Sequence, residues 1–265
     1  MELAIIKPDN VYTANGVTVK QYFATAHNPN GISLPSKRTL PLIGVTVHNT
    51  NDINEARQTT DPEQYVRATL NDRMGTVRVH FYVDDDEIWQ MLPLDWQSWH
   101  AGQAGKGDRN GSAAGNGQTI SIECIMDGSG SEKDKRAEDN CARLVAWLLK
   151  QHGMNTKENL FTHNYWCNVR NGRKGTIDEL NRLYDGYKGC PAYIRPHWSE
   201  FVAAVDKYMK GSAEKSSVSA ENGYYTVQVG AFGVKGNAEN RLKEAQQYFP
   251  DAFISFIEKR MGETS

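Results

Sequence analysis

The order of apolar and polar positions along the chain predicts several short strands. Leu42–His48 alternates aliphatic residues with glycine, threonine and histidine, and a period of two is typical of a strand with one buried face. The same reasoning predicts three further strands, at Val77–Val83, Glu87–Met91 and Thr119–Ile125.

Other segments have the period of an amphipathic helix. Asp61 and Pro62 predict a capped start for a helix that ends near Asn71. In the longest pattern, Asp134–His152, apolar residues recur at intervals of three and four. We also expect a helix at Trp198–Met209 and a short one at Ile177–Tyr184.

Together these elements predict the fold class. Strands mixed with helices over residues 1–210 indicate an α/β domain with a central mixed β-sheet flanked by helices. Within it, we expect residues 1–40 to form an irregular leader. Ala101–Gln118 has 6 glycines in 18 residues and is expected to be a mobile rim loop. A linker is expected at 211–222, followed by a small βαβ module at 223–265.

Composition and charge exclude several classes of protein. Of 265 residues, 39% are hydrophobic and 23% charged, which is an ordinary globular composition. With 30 Lys+Arg against 32 Asp+Glu, the chain is not built to neutralise phosphates, so we expect no nucleic-acid partner. No apolar run approaches the roughly 20 residues that span a bilayer, so we expect no membrane insertion.

Two histidines and one cysteine could form a metal site. His48 ends a predicted strand, His163 follows an apolar segment and Cys190 precedes a proline. Two imidazoles and a thiolate leave one open position on a tetrahedral metal, as catalytic zinc requires. Spacing alone does not single them out, because each residue type is more often structural. Cys124 and Cys141 are expected to be buried, reduced thiols.

Glu123 is a second candidate for chemistry. It lies in the middle of a predicted strand, where glutamate is disfavoured. A general base is one reason to place it there, and a solvated outer face is the other. If their two strands are neighbours, Glu123 and His48 have the parity to share one face of the sheet.

Six short motifs then carry a resemblance to a known family. They are Val45–Thr50 (VTVHNT), His80–Asp84 (HFYVD), Trp99–Gly102 (WHAG), Ile120–Glu123 (ISIE), Thr162–His163 and Lys188–Pro191 (KGCP). In this order they resemble the zinc-dependent N-acetylmuramoyl-L-alanine amidases of the phage-lysin and peptidoglycan-recognition type. The resemblance covers about residues 40–210. Each motif is weak alone, but six in the family's order are a specific signal.

The resemblance implies an activity and a site. The reaction would be hydrolysis of the amide between the lactyl group of N-acetylmuramic acid and L-alanine of the peptidoglycan stem peptide. Glu123 would activate or orient the attacking water, and Lys188 would stabilise the oxyanion. The cofactor Zn²⁺ would be bound by His48, His163 and Cys190. His80, His100 and Trp99 would line the substrate cleft, with packing roles equally open for the two histidines.

Two features depart from the family pattern. The second histidine and the KxC motif are usually fewer than ten residues apart, whereas 26 residues separate His163 from Cys190. This insertion could reshape the substrate groove. It also makes Cys167 a fallback ligand, although the Cys-Pro dipeptide favours Cys190. Val79 stands where some relatives have a catalytic tyrosine, so that role passes to Glu123.

The C-terminal residues resemble a second family. Tyr224–Phe232, Lys235–Ala238 and Asp251–Ile254 are similar to part of a SPOR repeat, which implies binding to peptidoglycan. The stretch has only about half the length of such a domain. We therefore expect pairing of two copies as a homodimer, a truncated sequence, or a poorly ordered tail.

The cellular setting and two rival functions complete the hypothesis. The first residues have neither the basic flank nor the long apolar centre of a signal peptide. We expect synthesis in the cytoplasm and action on the cell wall after release, as for a phage or prophage endolysin, with a host autolysin as the close variant. The rivals are a non-catalytic peptidoglycan-recognition module and a zinc peptidase acting within the stem peptide. Cys190 favours catalysis, because binding-only relatives typically replace this ligand.

Overall fold

The computed structural model describes residues 5–52, 59–101, 111–184 and 189–211. All of them belong to the first of two units into which the chain divides, Met1–Lys215. The βαβ module expected at 223–265, and nearly all of the linker before it, lie outside the described residues.

A mixed β-sheet forms the centre of this unit. Its strands are β1 (Asn10–Ala14), β2 (Val17–Gln21), β3 (Gly44–Asn51), β4 (Phe81–Val83), β5 (Ile88–Gln90), β6 (Thr119–Met126) and β7 (Leu160–Thr162). They lie in the order β1-β2-β5-β4-β6-β3-β7. The β1–β2 and β4–β5 pairs are antiparallel and the other neighbours are parallel. The predicted mixed sheet is therefore confirmed.

Helices cover both faces of the sheet. They are α1 (Asp61–Leu70), α2 (Gly111–Gln118), α3 (Glu132–Gln151), α4 (Thr156–Asn159), α5 (His163–Arg170), α6 (Ile177–Arg182) and α7 (Trp198–Gly211), with a 3₁₀ turn at Arg195–His197. On one face, Leu144 of α3 and Phe201 of α7 join a core cluster with the sheet residues Val47 and Ile122. On the other face, α1 packs against Tyr82 and further core residues.

Helix α3 shows how the apolar pattern becomes a packed element. The side chain of Ser131 accepts a hydrogen bond from the backbone of Asp134 and caps the helix. The helix therefore begins at Glu132, two residues before the predicted start. Its periodic apolar residues are all buried: Ala137, Cys141, Leu144, Val145 and Leu148.

The prediction of an irregular leader is wrong for residues 10–21. Strands β1 and β2 form a hairpin there, and β2 continues into the sheet by pairing with β5. Asn15 and Gly16 both have positive φ, 46° and 86°, as a two-residue hairpin turn requires. Val17 and Val19 are buried. In the sequence, this hairpin is indicated by the Asn15-Gly16 pair followed by the alternating valines Val17 and Val19.

The prediction of a mobile loop at Ala101–Gln118 is also wrong in part. Residues 111–118 form α2, and 102–110 lie outside the described residues. Glycine costs about 1 kcal/mol relative to alanine in a helix, and tertiary packing overrides this. Gly115 lies where a β-carbon would be only 2.6 Å from that of Ala101, so the close packing of this helix requires glycine there.

Other predictions differ in extent. The strand expected at Val77–Val83 begins only at Phe81, and Arg78 forms a separate backbone bridge with Trp99. The described residues include all four cysteines, and none of these forms a disulfide. Within the same residues, no helix combines the length and apolar character required to cross a bilayer.

Candidate metal centre

Three potential ligands meet at the carboxyl ends of two parallel strands. His48 lies in β3, His163 begins α5 directly after β7, and Cys190 lies in the loop before α7. One ligand atom from each residue lies within 4.8 Å of the other two. Ligand sites in α/β sheets commonly occur at this edge.

The two ring nitrogens of His48 have different partners. Nδ1 lies 3.6 Å from Sγ of Cys190, whereas Nε2 lies 2.8 Å from Nδ1 of His100. The ring of His163 meets that of His48 edge-on, with 4.8 Å between centroids. His48 therefore presents Nδ1 to the ligand group.

The donor set and its spacing fit a zinc ion. Zinc prefers a tetrahedral arrangement of nitrogen and sulfur ligands at about 2.0–2.3 Å, which separates the ligand atoms by about 3.3–3.8 Å. The distance of 3.6 Å between His48 Nδ1 and Cys190 Sγ is of this size. Three protein ligands leave the fourth position open, which is the arrangement of catalytic rather than structural zinc.

Glu123 lies beside this group. It is the register partner of His48 on the neighbouring parallel strand, and its Oε1 is 3.8 Å from His48 Nδ1. The Glu123 side chain is 14% exposed, compared with 2% for His48. A carboxylate in this position can exchange protons with solvent and with a bound substrate.

Two asparagines hold the segment that carries Cys190. The backbone N–H of Asn164 donates to the carbonyl of Cys190 at 2.8 Å. The side chain of Asn49 accepts from the backbone N–H groups of Tyr193 and Ile194, at 3.0 and 3.1 Å. Sequence reasoning missed both asparagines. Their position could have identified them, because Asn49 directly follows His48 and Asn164 directly follows His163.

The insertion between His163 and Cys190 braces the strand that leads to His163. Helix α6 forms at the predicted place, and its Asn181 lies along the outer edge of β7. The Asn181 side chain accepts from the backbone of Thr162 at 2.8 Å and donates to the carbonyl of Leu160 at 3.0 Å. It thus satisfies the backbone groups that a further strand would have bonded.

Cys167, the fallback ligand, does not belong to the ligand group. It is buried on α5, and its Sγ accepts from the Arg170 guanidinium at 3.4 Å. The three residues whose ligand atoms converge are those favoured by the sequence.

His80 does not line the cleft, contrary to expectation. It is fully buried. Its Nδ1 accepts from the backbone of Ser121 at 3.1 Å, and its Nε2 lies 3.1 Å from the carbonyl of Trp96. Burial lowers the pKa of His80 to about 3, so the ring is neutral near pH 7. These contacts give His80 a structural role in the sheet.

His100 is also buried, and it lies against the candidate ligand His48. Besides His48, it contacts the carbonyl of Gly115, which is 3.0 Å from its Nε2. Burial lowers the pKa of His100 to about 3. Trp99 is half-buried, and its contact with substrate stays a prediction. Lys188 lies outside the described residues, so its role also stays a prediction.

Fold and site together define an α/β domain with a possible metal-ligand group at the carboxyl ends of its parallel strands. Residues 38–179 match the model of the N-acetylmuramoyl-L-alanine amidase family. This match covers more than half of the chain, and the chain belongs to that family. Residues 221–264 match the SPOR domain family.

Individual relatives agree with this assignment. The chain is 30% identical over 191 residues to the N-acetylmuramoyl-L-alanine amidase XlyB of Bacillus subtilis (strain 168), covering 70% of this chain and 50% of XlyB. It is 29% identical to XlyA of the same strain, over 72% of this chain and 52% of XlyA. The chain thus spans about half the length of these curated relatives. A mutant endolysin from Bacillus subtilis superposes with a TM-score of 0.50 at 27% identity, over 71% of this chain and 99% of the endolysin.

Proposed function

We propose that the chain hydrolyses the amide between N-acetylmuramic acid and L-alanine in peptidoglycan, with Zn²⁺ held by His48, His163 and Cys190. The observation that carries the proposal is the convergence of these three ligand atoms within 4.8 Å, with a carboxylate beside them. Membership of the amidase family supports the choice of bond.

The residues of the chain divide the chemistry between them. Zinc bound at these ligands supplies Lewis acidity and lowers the pKa of water toward neutrality. Glu123 takes a proton from the water that attacks the amide carbonyl. It then delivers this proton to the amine of L-alanine as the carbon–nitrogen bond breaks. The family resemblance gives Lys188 the remaining role, stabilisation of the oxyanion.

The position of Glu123 suits this role. Its carboxylate lies beside the three residues that would hold the zinc, with Oε1 3.8 Å from His48 Nδ1, where it could take a proton from the attacking water. Its partial exposure allows the proton to pass to a substrate approaching from solvent. The neighbouring His48 and Cys190 are held by backbone and side-chain bonds, so the carboxylate faces a fixed ligand group.

The match of the C-terminal residues to the SPOR family supports action of the chain at the cell wall. The SPOR match at 221–264 supports retention of the chain on peptidoglycan, and pairing through this segment would give a homodimer. The setting that fits best is that of an endolysin, which reaches the wall after release from the cytoplasm. Sedimentation of the full chain with and without residues 212–265 tests the homodimer.

Product analysis on purified peptidoglycan tests the proposed activity. The zinc-loaded chain is expected to release new amino termini on L-alanine without new reducing sugar ends. New termini within the stem peptide instead would show that the chain is a peptidase. Wall binding by the zinc-loaded chain with no new termini would contradict hydrolysis and indicate a recognition protein.

A further inference from the structure

His100 connects the candidate metal centre to the backbone of α2. Its Nδ1 lies 2.8 Å from Nε2 of His48, and its Nε2 lies 3.0 Å from the carbonyl oxygen of Gly115. Both residues of the histidine pair are buried, with 2% and 8% of their surface exposed. Nε2 of His100 also lies 3.3 Å from the hydroxyl of Thr119, so both ring nitrogens have polar partners away from solvent.

The chemistry of these partners fixes the direction of each hydrogen bond. A carbonyl oxygen only accepts, and the single hydrogen of the Thr119 hydroxyl is donated to the same carbonyl at 2.6 Å. Nε2 of His100 therefore carries a hydrogen and donates it to Gly115. In a neutral imidazole the other nitrogen is then an acceptor, so Nδ1 of His100 accepts from Nε2–H of His48. This leaves the lone pair of His48 on Nδ1, the nitrogen that faces Cys190.

A buried chain of donors holds the Gly115 carbonyl in place. The indole N–H of Trp166 donates to the hydroxyl of Thr46 at 2.9 Å. The hydroxyls of Thr46 and Thr119 are 2.9 Å apart, and Thr119 donates to the carbonyl of Gly115 at 2.6 Å. With these donors assigned, the hydroxyl of Thr46 donates to that of Thr119, and every bond in the chain has one donor and one acceptor.

The backbone around His100 is fixed as well. The side-chain oxygen of Asn116 accepts from the backbone N–H groups of His100 and Ala101, at 2.9 and 2.7 Å. One residue of α2 therefore orients the backbone of His100, while its neighbour Gly115 receives the side chain.

We propose that His100 is a positioning residue that holds His48 in the tautomer with hydrogen on Nε2, so that Nδ1 binds the metal. The inference rests on the zinc site of the proposed function. His100 then contacts the ligating residue His48 instead of making the substrate contact expected from the sequence. A partner that sets the tautomer of a ligating histidine typically contributes about 10–100-fold to metal affinity.

Two substitutions separate this role from a merely structural one. In His100→Asn, the amide oxygen can occupy the position of Nδ1 and still accept from His48. In His100→Gln, the amide reaches the position of Nε2 and retains the contact with Gly115 but not the acceptor. We expect about 10–100-fold weaker zinc binding for His100→Gln, measured by chelator competition, and nearly normal binding for His100→Asn.

A second measurement reads the tautomer directly. Nitrogen-15 NMR of the metal-free wild-type chain at neutral pH is expected to show His48 with hydrogen on Nε2. His48 with hydrogen on Nδ1 in that sample would overturn the proposal, even if His100→Gln does not fold. Equal zinc affinities for His100→Gln and His100→Asn would also overturn it. Failure of the wild-type chain to bind zinc would instead contradict the proposed function itself.

Discussion

Glu123 and His48 are register partners on neighbouring parallel strands, with Oε1 of the carboxylate 3.8 Å from Nδ1 of the imidazole. The residues before them, Val47 and Ile122, are also partners and are fully buried on the opposite face of the sheet. A slip of one residue would bury the polar pair in the apolar core. The hydrophobic pattern of β3 and β6 therefore also fixes the geometry of the candidate site.

Removal of the thiolate should abolish tight metal binding. Cys190→Ser replaces a soft ligand of the group by a hydroxyl, and we expect zinc affinity to fall on the order of 100-fold or more. Cys167→Ser is the matched control, because Cys167 lies outside the ligand group. Chelator competition measures both variants. If Cys167→Ser lost zinc while Cys190→Ser retained it, the third ligand would be Cys167 and not Cys190.

Two glycines of α2 should respond in opposite ways to alanine. In Gly115→Ala, the new methyl group would meet Ala101 at 2.6 Å and Trp166 at 3.1 Å, so we expect a loss of about 1–3 kcal/mol in unfolding free energy. Gly117 has no other atom within 4 Å of a β-carbon, and Gly117→Ala should be neutral or stabilising by up to about 1 kcal/mol. Denaturant unfolding of the metal-free proteins compares them, and equal stabilities would refute the packing described for α2.

The brace from the insertion should be measurable in stability. Asn181→Leu leaves the buried N–H of Thr162 and the carbonyl of Leu160 without the side chain that bonds them. We expect a loss of roughly 2–4 kcal/mol in the free energy of unfolding, and weaker zinc binding because His163 follows this strand. Asp178→Asn, an exposed substitution on the same helix, is the control. If the free energy of unfolding of Asn181→Leu were within about 0.5 kcal/mol of that of Asp178→Asn, the brace would be contradicted.

His80 should make the fold sensitive to acid. Its pKa is about 3 in the folded chain against an ordinary value of 6.5, so between these values the unfolded chain binds the extra proton. The contribution of His80 to the free energy of unfolding is therefore complete above pH 6.5. As the pH falls below this value the contribution is lost progressively, and at pH 5 about 2 kcal/mol of it is gone. His80→Asn keeps an acceptor for Ser121 but does not titrate. Denaturant unfolding of the metal-free proteins at pH 7 and 5 should show a smaller loss for this variant, and an equal loss would show that His80 is not the cause.

The parts of the fold that follow from local periodicity were predictable. Alternation located β3 and β6, and strand parity gave the shared face of His48 and Glu123. The three candidate ligands follow from the order of motifs rather than from spacing, because 26 residues lie between His163 and Cys190. Family resemblance therefore supplied what periodicity cannot, the pairing of residues that are distant along the chain.

Tertiary contacts decided the remainder. The composition of α2 indicates a loop, and only its packing against Ala101 and Trp166 makes it a helix. Sequence patterns also do not show which atoms of a histidine ring are bonded. The sequence predicts both His80 and His100 in the cleft, yet one bonds within the sheet and the other bonds His48, a candidate metal ligand.

The most direct test compares hydrolysis by wild type, Glu123→Gln and Glu132→Gln at equal zinc occupancy. Glu132 is an exposed carboxylate of α3, so Glu132→Gln controls for the loss of charge. We predict that wild type and Glu132→Gln release L-alanine amino termini from peptidoglycan at similar rates. Glu123→Gln should be slower by about 100-fold or more while retaining its zinc. Wild-type rates for zinc-loaded Glu123→Gln would contradict the assignment of Glu123 as the proton-transferring group.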